Sequence, residues 1–452
     1  MNYLVKFAKD RGLEVIQDDA YNVVIKKAGS RGAEDHAPVM LQGHMDMVCE
    51  KRAGVEHDFE KDGLDLIIRD GRLTANGTTL GGDNGVAVAL MLMVLDDDEI
   101  EHPPVECVFT TEEEVGLNGA KALDKSVLKA RTMINMDSED EGVATVSCAG
   151  GLRVQFTKEI QRTTVQGSLL TLKVEGLLGG HSGQDIDKER QNADLLMARM
   201  IQRLLKETKG QLVSFNGGTK DNAIPRECEA SLIYESDEEA AKAEELACEL
   251  AETYAEELTP AEPDFSCEIS CETNRTAEAI PQDAAKEFIC AMRLAPNGIQ
   301  KRNIKMDGFV VVSLNLGVVR TEEDRIVMIF SPRSSVASLQ EDTKERLNTL
   351  AETFGFTVSH SSEYPGWSFK EDSPVREICK ESYKELFGED LKIEAIHAGL
   401  ECGLFSDAIK GLDAIAIGPT IANCHTPDEY LTLDSFERFY EFLKDILSRL
   451  AK

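Results

Sequence analysis

Five short segments of this 452-residue chain hold the residues best able to do chemistry. LQGHMDMV sets His44 and Asp46 directly after an apolar run, and GTTLGGDNG sets Asp83 at the mouth of an apolar helical stretch. VFTTEEEVG ends a second apolar run in Glu112, Glu113 and Glu114. MINMDSED ends a third in Asp137, and AIGPTIANCHTPDE brings His425 a few residues after a fourth. Two imidazoles and three carboxylates suit a pair of borderline divalent ions, and one carboxylate can bridge ions about 3.5–4 Å apart. Taken singly, the same residues have plainer readings. Asp83 alone reads as a helix N-cap, the triple glutamate as a solvated charge run, and either His as a satisfied polar residue. Delivered together to the ends of strands, they favour the metal reading. Cys424, beside His425, reads as a small buried residue, with a thiol that attracts the wrong metal as the alternative.

The elements that would position these residues can be read from the pattern. Apolar runs at 21–26, 39–42, 105–110 and 132–136 read as strands, and 84–95 reads as a helix with an apolar face at Val86, Ala89, Leu90 and Met93. Strands separated by helices predict a mainly parallel sheet, whose carboxyl ends form a ligand crevice. After Gly150–Gly151 the character changes. A strand (168–175), the Gly-rich LLGGHSG, a helix (191–206), strands 211–215 and 223–235, an acidic helix (238–258) and a strand (264–272) give β-α-β-β-α-β, the ferredoxin-like order. A similar unit follows: helix 284–294, hairpin 309–319 with 325–331, helix 338–354 and strand 357–362. EYPGWSFKEDSP reads as a crossover, after which helices and strands resume and end in an amphipathic helix at 433–450. The predicted fold class is α/β: a discontinuous domain from residues 1–150 and 367–452, with an α+β domain, 151–366, inserted between.

Composition narrows the partners. With 49 Lys and Arg against 82 Asp and Glu, the net charge is −33, a field that repels phosphates and argues against nucleic acid and anionic membrane. No run of about 18 apolar residues is present to span a bilayer, and the first residues lack a secretory pattern. Eleven cysteines scattered without a CxxC pair suit a reduced cytoplasm.

The segments LQGHMDMV, GTTLGGDNG, TEEEVGLNGA, NMDSEDEG, GGHSG, NAIPRE, YPGW, HAGLECGLF and CHTPDE, in this order from residue 41 to 429, resemble the M20 metallopeptidases, and within them the aminoacyl-histidine dipeptidase branch. The resemblance implies a zinc-peptidase catalytic domain with an inserted lid. It implies two Zn²⁺, with Mn²⁺ or Co²⁺ as substitutes, one held by His44, Asp83 and Asp137 and the other by Asp83, Glu114 and His425. Asp46 would orient His44, and Glu113 would act as general base toward a water that the metal makes more acidic. The spacing EEVG selects Glu113 and Glu114 from the triple glutamate. In the lid, His181 would stabilise the oxyanion, Asn222 would contact the substrate carbonyl, and Arg333 with Gly399 would hold a terminal carboxylate. The same motif contains His397 and Glu401, to which the resemblance assigns no role.

The implied activity is a cytoplasmic, metal-dependent dipeptidase acting on Xaa-His and other dipeptides such as β-alanyl-histidine, with no nucleic-acid or membrane partner. The competing readings are a deacylase or tripeptidase of the same family, and a metal-holding peptide-binding protein without catalysis. Retention of Glu113 beside a full ligand set argues against the last, because binding alone needs no base. The resemblance also implies a homodimer through the lid, against the alternative that two ferredoxin-like halves complete the site within one chain. The family usually has a further stretch ahead of this sequence's first residue, so YLVKFAKDRGLEV is expected to be the end of its first helix.

Overall fold

The computed structural model describes residues 1–304 and 308–452. The chain divides into two compact units, one made of Met1–Cys148 with Gly366–Lys452 and the other of Ala149–Pro365. The discontinuous unit is built on an eight-stranded sheet in the order Glu14–Gln17, Val23–Lys27, Val105–Thr110, Val39–His44, Thr132–Asn135, Asp413–Ala416, Val143–Cys148, Lys392–Ile396. Its centre is parallel: Val39–His44 runs parallel to both neighbours, and Asp413–Ala416 runs parallel to Thr132–Asn135. The expected α/β class with a mainly parallel sheet is what forms.

Every residue of Val39–His44 and Val105–Thr110 is buried, as expected of strands covered on both faces. The helix Gly82–Asp96 lies against Val39–His44, and Gly43 makes this possible: a Cβ there would sit 2.4 Å from the Cβ of Ala87. The buried face of this helix is Val86, Ala87, Leu90, Met91, Val94 and Leu95. The predicted face is therefore corrected at Ala89 and Met93, which are only half-buried. The helix is apolar on nearly every side, so periodicity could not choose its orientation.

The inserted unit is built on one long antiparallel sheet in the order Ser266–Ala279, Thr163–Glu175, Cys228–Tyr234, Gln211–Gly217, Phe309–Thr321, Arg325–Ser334, Gly150–Glu159, Thr357–Tyr364, with Gly298–Asn303 also pairing Phe309–Thr321 and a separate two-stranded pair, Gly180–His181 with Ala223–Ile224, beside it in the chain. The first four strands lie in the ferredoxin-like order 4-1-3-2, and the last four repeat it in mirror sense along the sheet. The opening strand of the second half is Gly150–Glu159, so the whole first half is inserted within the second. The two halves meet where Gly217 faces Val319. Gly150–Gly151, read from sequence as a change of character, lies inside a strand that pairs with Arg333 and Ser334. The predicted strand 223–235 is split into Ala223–Ile224 and Cys228–Tyr234, because Pro225 supplies no N–H to a ladder. Phe156, Phe215, Phe288 and Phe330 lie in the core of this unit.

Candidate active site

Three neighbouring strands of the parallel block end in chemistry. His44 is the last residue of its strand, Glu113 and Glu114 lie just beyond Thr110, and Asp137 lies two residues beyond Asn135. Asp83 enters from the turn that opens the Gly82–Asp96 helix, where its own backbone (φ −84°, ψ 100°) and that of Asn84 are not helical. Asn84 rather than Asp83 caps the regular helix, accepting from the N–H of Ala87 at 3.2 Å, and Gly81 ahead of the turn lies in the left-handed region, φ 69°, which glycine adopts without strain. Glu429 holds this turn, accepting from the backbone N–H of Leu80 (2.7 Å), Gly81 (2.9 Å) and Asp83 (3.2 Å).

The two oxygens of Asp83 point in different directions. Oδ1 lies 3.0 Å from Nε2 of His44, and Oδ2 lies 3.1 Å from Nε2 of His425. His44 Nε2 is also 3.3 Å from Asp137, and His425 Nε2 is 3.1 Å from Glu114. The donor atoms therefore form two groups, His44–Asp83–Asp137 and Asp83–Glu114–His425, each within 4.8 Å and sharing Asp83. Glu113 joins His44 and Glu114 in a third. Glu112, exposed, instead accepts from Asn118 at 3.1 Å, so its side chain is engaged outside these groups.

Asp46 ties the groups together. Its two oxygens accept from the backbone N–H of Glu113 and Glu114, each at 3.2 Å, and His44 Nδ1 lies 3.1 Å from its carbonyl and 3.5 Å from its carboxylate. Burial pushes the Asp46 carboxyl up, but His44 and the two N–H groups together hold it below the usual range.

Beneath the strand ends lies a buried polar layer that sequence reading left without a role. Glu401 accepts from Gln42 (2.5 Å) and Thr110 (2.7 Å), and Asn135 donates to Gln42 at 2.7 Å. Asn135 in turn accepts from the N–H of Asp137 at 3.2 Å. A fully buried Glu401 is pushed up to about 7, chiefly by burial. Gly399 lies in the loop between Lys392–Ile396 and the helix Glu401–Ala408, and His397 in that loop is buried.

The donor set has too much negative charge for its own cations. Burial, then the Asp137 charge, pushes Glu113 up to about 9, with Glu401 and Glu114 adding to the effect. Burial also pushes Asp137 up. Hydrogen bonds to Asp83 and Glu114 push His425 up to about 10. Buried carboxylates converging this closely are stable as anions only when paired or on a metal, so the residues fit divalent ions. A further group, Asp83–Glu139–Cys424, abuts the same carboxylate; burial pushes the Cys424 thiol far up, which keeps it protonated.

The remaining predicted residues belong to the inserted unit. His181 ends the two-residue strand Gly180–His181, which pairs with Ala223–Ile224. Its Nδ1 accepts from the N–H of Gly183 (3.2 Å) and Gln184 (3.0 Å). That leaves the proton on Nε2. Burial and nearby Arg333 lower its pKa, keeping the ring neutral. Exposed Asn222 is next to this pair, its carbonyl accepting from Ser182 N–H at 2.8 Å. Arg333 is buried, donating from Nη1 to Tyr364 at 3.0 Å, while its Nε has no partner among the described residues.

The model of peptidase family M20/M25/M40 matches residues 40–449. This chain belongs to that family. It is 35% identical over 454 residues to the cytosol non-specific dipeptidase of Escherichia coli, covering 99% of this chain and 92% of the relative. The solved aminoacylhistidine dipeptidase from Vibrio alginolyticus is 36% identical and superposes with a TM-score of 0.93, covering 99% of this chain and 91% of that one. The aminopeptidase PepT from Bacillus cereus, at 16% identity and TM-score 0.55, covers 100% of this chain and 92% of its own, and shares the fold. No helix among the described residues is long and apolar enough to cross a membrane.

Proposed function

We propose that this M20 chain is a two-metal dipeptidase of the cytosol, removing the N-terminal residue from dipeptides, Xaa-His among them. The observation that carries the reading is Asp83, which turns one oxygen to His44 and the other to His425 with Glu113 alongside. His44, Asp83 and Asp137 would hold one ion, and Asp83, Glu114 and His425 the other. Imidazole and carboxylate suit Zn²⁺ and also accept Mn²⁺ or Co²⁺. When bound, the ions polarise a peptide carbonyl and make water more acidic.

The chain's own residues do the rest. Glu113 takes the proton of the attacking water and passes it to the leaving amine. Its raised pKa is set by burial and neighbouring anions, and added positive charge brings it down toward the range of a working base. Asp46 keeps His44 in one orientation and fixes the Glu113–Glu114 turn. His181, neutral with its proton on Nε2, is a donor to an oxyanion, and Asn222 is assigned to the substrate carbonyl. Arg333, whose planar fork matches a carboxylate, and the backbone of Gly399 are assigned to the peptide's C-terminus. Support for the substrate class comes from the names of the two most similar relatives reported above.

The test is hydrolysis of β-alanyl-histidine, other dipeptides, a tripeptide and an N-acyl amino acid, before and after chelation and after zinc is restored. Dipeptides should be cleaved, with turnover abolished by chelator and recovered with zinc. Cleavage confined to the tripeptide or the N-acyl amino acid would overturn the dipeptidase reading.

A further inference from the structure

In the inserted unit, the strand Phe309–Thr321 is mostly apolar, with Val310, Val312, Leu314, Leu316 and Val319 buried. Ser313 and Asn315 are its buried polar exceptions, and Asn315 is only 1% exposed. A buried amide is costly unless its donors and acceptor are met, so the destination of its bonds is informative. Nδ2 donates to the carbonyl of Asp221 at 3.1 Å and to that of Ala223 at 2.8 Å. Two carbonyls on one atom can face only the NH₂, which fixes the amide's orientation. At its other end, Oδ1 faces Nδ2 of Asn192 at 3.5 Å. Asn192 caps the helix Ala193–Glu207 and donates to the Leu316 carbonyl at 2.8 Å. Asn315 therefore directs both donors away from the main sheet, to the two residues that flank Asn222.

The same segment is held from other directions. Arg153 Nε donates to the Asp221 carboxylate at 2.8 Å, the Asn222 carbonyl accepts from the N–H of Ser182 at 2.8 Å, and Ile224 packs with Ile186 and Val310. The segment lies so close to the strand that Gly317 is required: a Cβ there would sit 2.5 Å from the Asp221 carbonyl oxygen. His181 pairs with Ala223, so whatever sets Ala223 also sets His181. Their sheet has two strands of two residues each, and a two-stranded sheet has little stability of its own. One buried side chain thus braces both residues assigned to the substrate carbonyl and the oxyanion.

We propose that Asn315 is a positioning residue of the reaction: by holding the Asp221 and Ala223 carbonyls it sets where Asn222 and, through Ala223, His181 present their donors. The inference rests on the roles proposed for His181 and Asn222 and adds the group that aligns them. Its bonds go to backbone carbonyls and to Asn192, so it acts on the reaction through the residues it aligns. A group displaced by about 1 Å loses about 10²-fold in rate, so loss of this brace has a measurable consequence.

Steady-state hydrolysis by the zinc-loaded protein tests it, on whichever of the dipeptides, tripeptide and N-acyl amino acid the wild type cleaves best. Asn315→Leu is similar in size and removes both donors. Its kcat should fall about 10- to 100-fold with KM and metal content unchanged. A fall in kcat alone also follows from a smaller folded fraction, so the deciding comparison is a mutant cycle. In the His181→Ala/Asn222→Ala background, Asn315→Leu should cost about twofold or less, whereas a folding loss would multiply in full. Gly317→Ala presses on the Asp221 carbonyl from the strand side and should show the same dependence on His181 and Asn222, which keeps the test valid should Asn315→Leu misfold. Full turnover by Asn315→Leu, or an equal loss in both backgrounds, would overturn the proposal and leave the roles of His181 and Asn222 standing. Full turnover by the His181→Ala/Asn222→Ala protein would overturn those roles, and the proposal with them.

Discussion

The two units solve opposite electrostatic problems. In the discontinuous unit, buried carboxylates crowd around two imidazoles, and Glu113 and Asp137 are pushed up chiefly by burial, which nearby His44 only partly offsets. In the inserted unit, His181 is kept neutral by burial and by Arg333, and its tautomer is fixed by two backbone N–H groups. On the proposed reading, the first group gains its chemistry from ions it binds, whereas His181 would act as a donor already set by the fold. The scaffolds differ accordingly. The carboxylates come from ends of buried parallel strands backed by the Glu401–Gln42–Thr110–Asn135 layer, whereas His181 sits on a two-residue strand outside the main antiparallel sheet.

Substitutions can break or sharpen this contrast. The largest effect belongs to the charge-rich site: Glu113→Gln should lower kcat by about 10²- to 10⁴-fold while metal content, measured by mass spectrometry, is unchanged. If the inserted unit contributes a preformed donor, His181→Ala should lower kcat by about 10²- to 10³-fold, also with metal content unchanged. The smallest effect concerns stability. Asp194, fully buried in the inserted unit, is pushed up to about 8 by burial, only partly opposed by Cys228 and Arg320. A carboxyl raised in the folded state favours folding most when protonated, so its contribution is intact below the unfolded value near 4 and is lost as pH rises toward 8. Asp194→Asn should therefore raise Tm relative to wild type at pH 8.5 and much less at pH 4.5. A Tm difference that does not change with pH would contradict this sign.

The strands that present the candidate ligands were legible because each is an apolar run stopped by a polar motif, as at His44 and Asp137. The layer behind them was not. Gln42, Thr110 and Asn135 are single polar residues inside strands, and only folding across more than two hundred residues brings Glu401 to them. The nested order of the inserted unit was hidden for a similar reason. Gly150–Glu159 begins with two glycines and finds its partners at Arg325–Ser334 and Thr357–Tyr364, far along the chain.

The central claim is that Asp83 serves two ions at once, and metal stoichiometry tests it most directly. Metal counted per chain in the wild type and in His44→Ala, His425→Ala and Asp83→Ala should read two, one, one and fewer than one. Two ions retained by Asp83→Ala, or a wild type that binds none, would contradict the account.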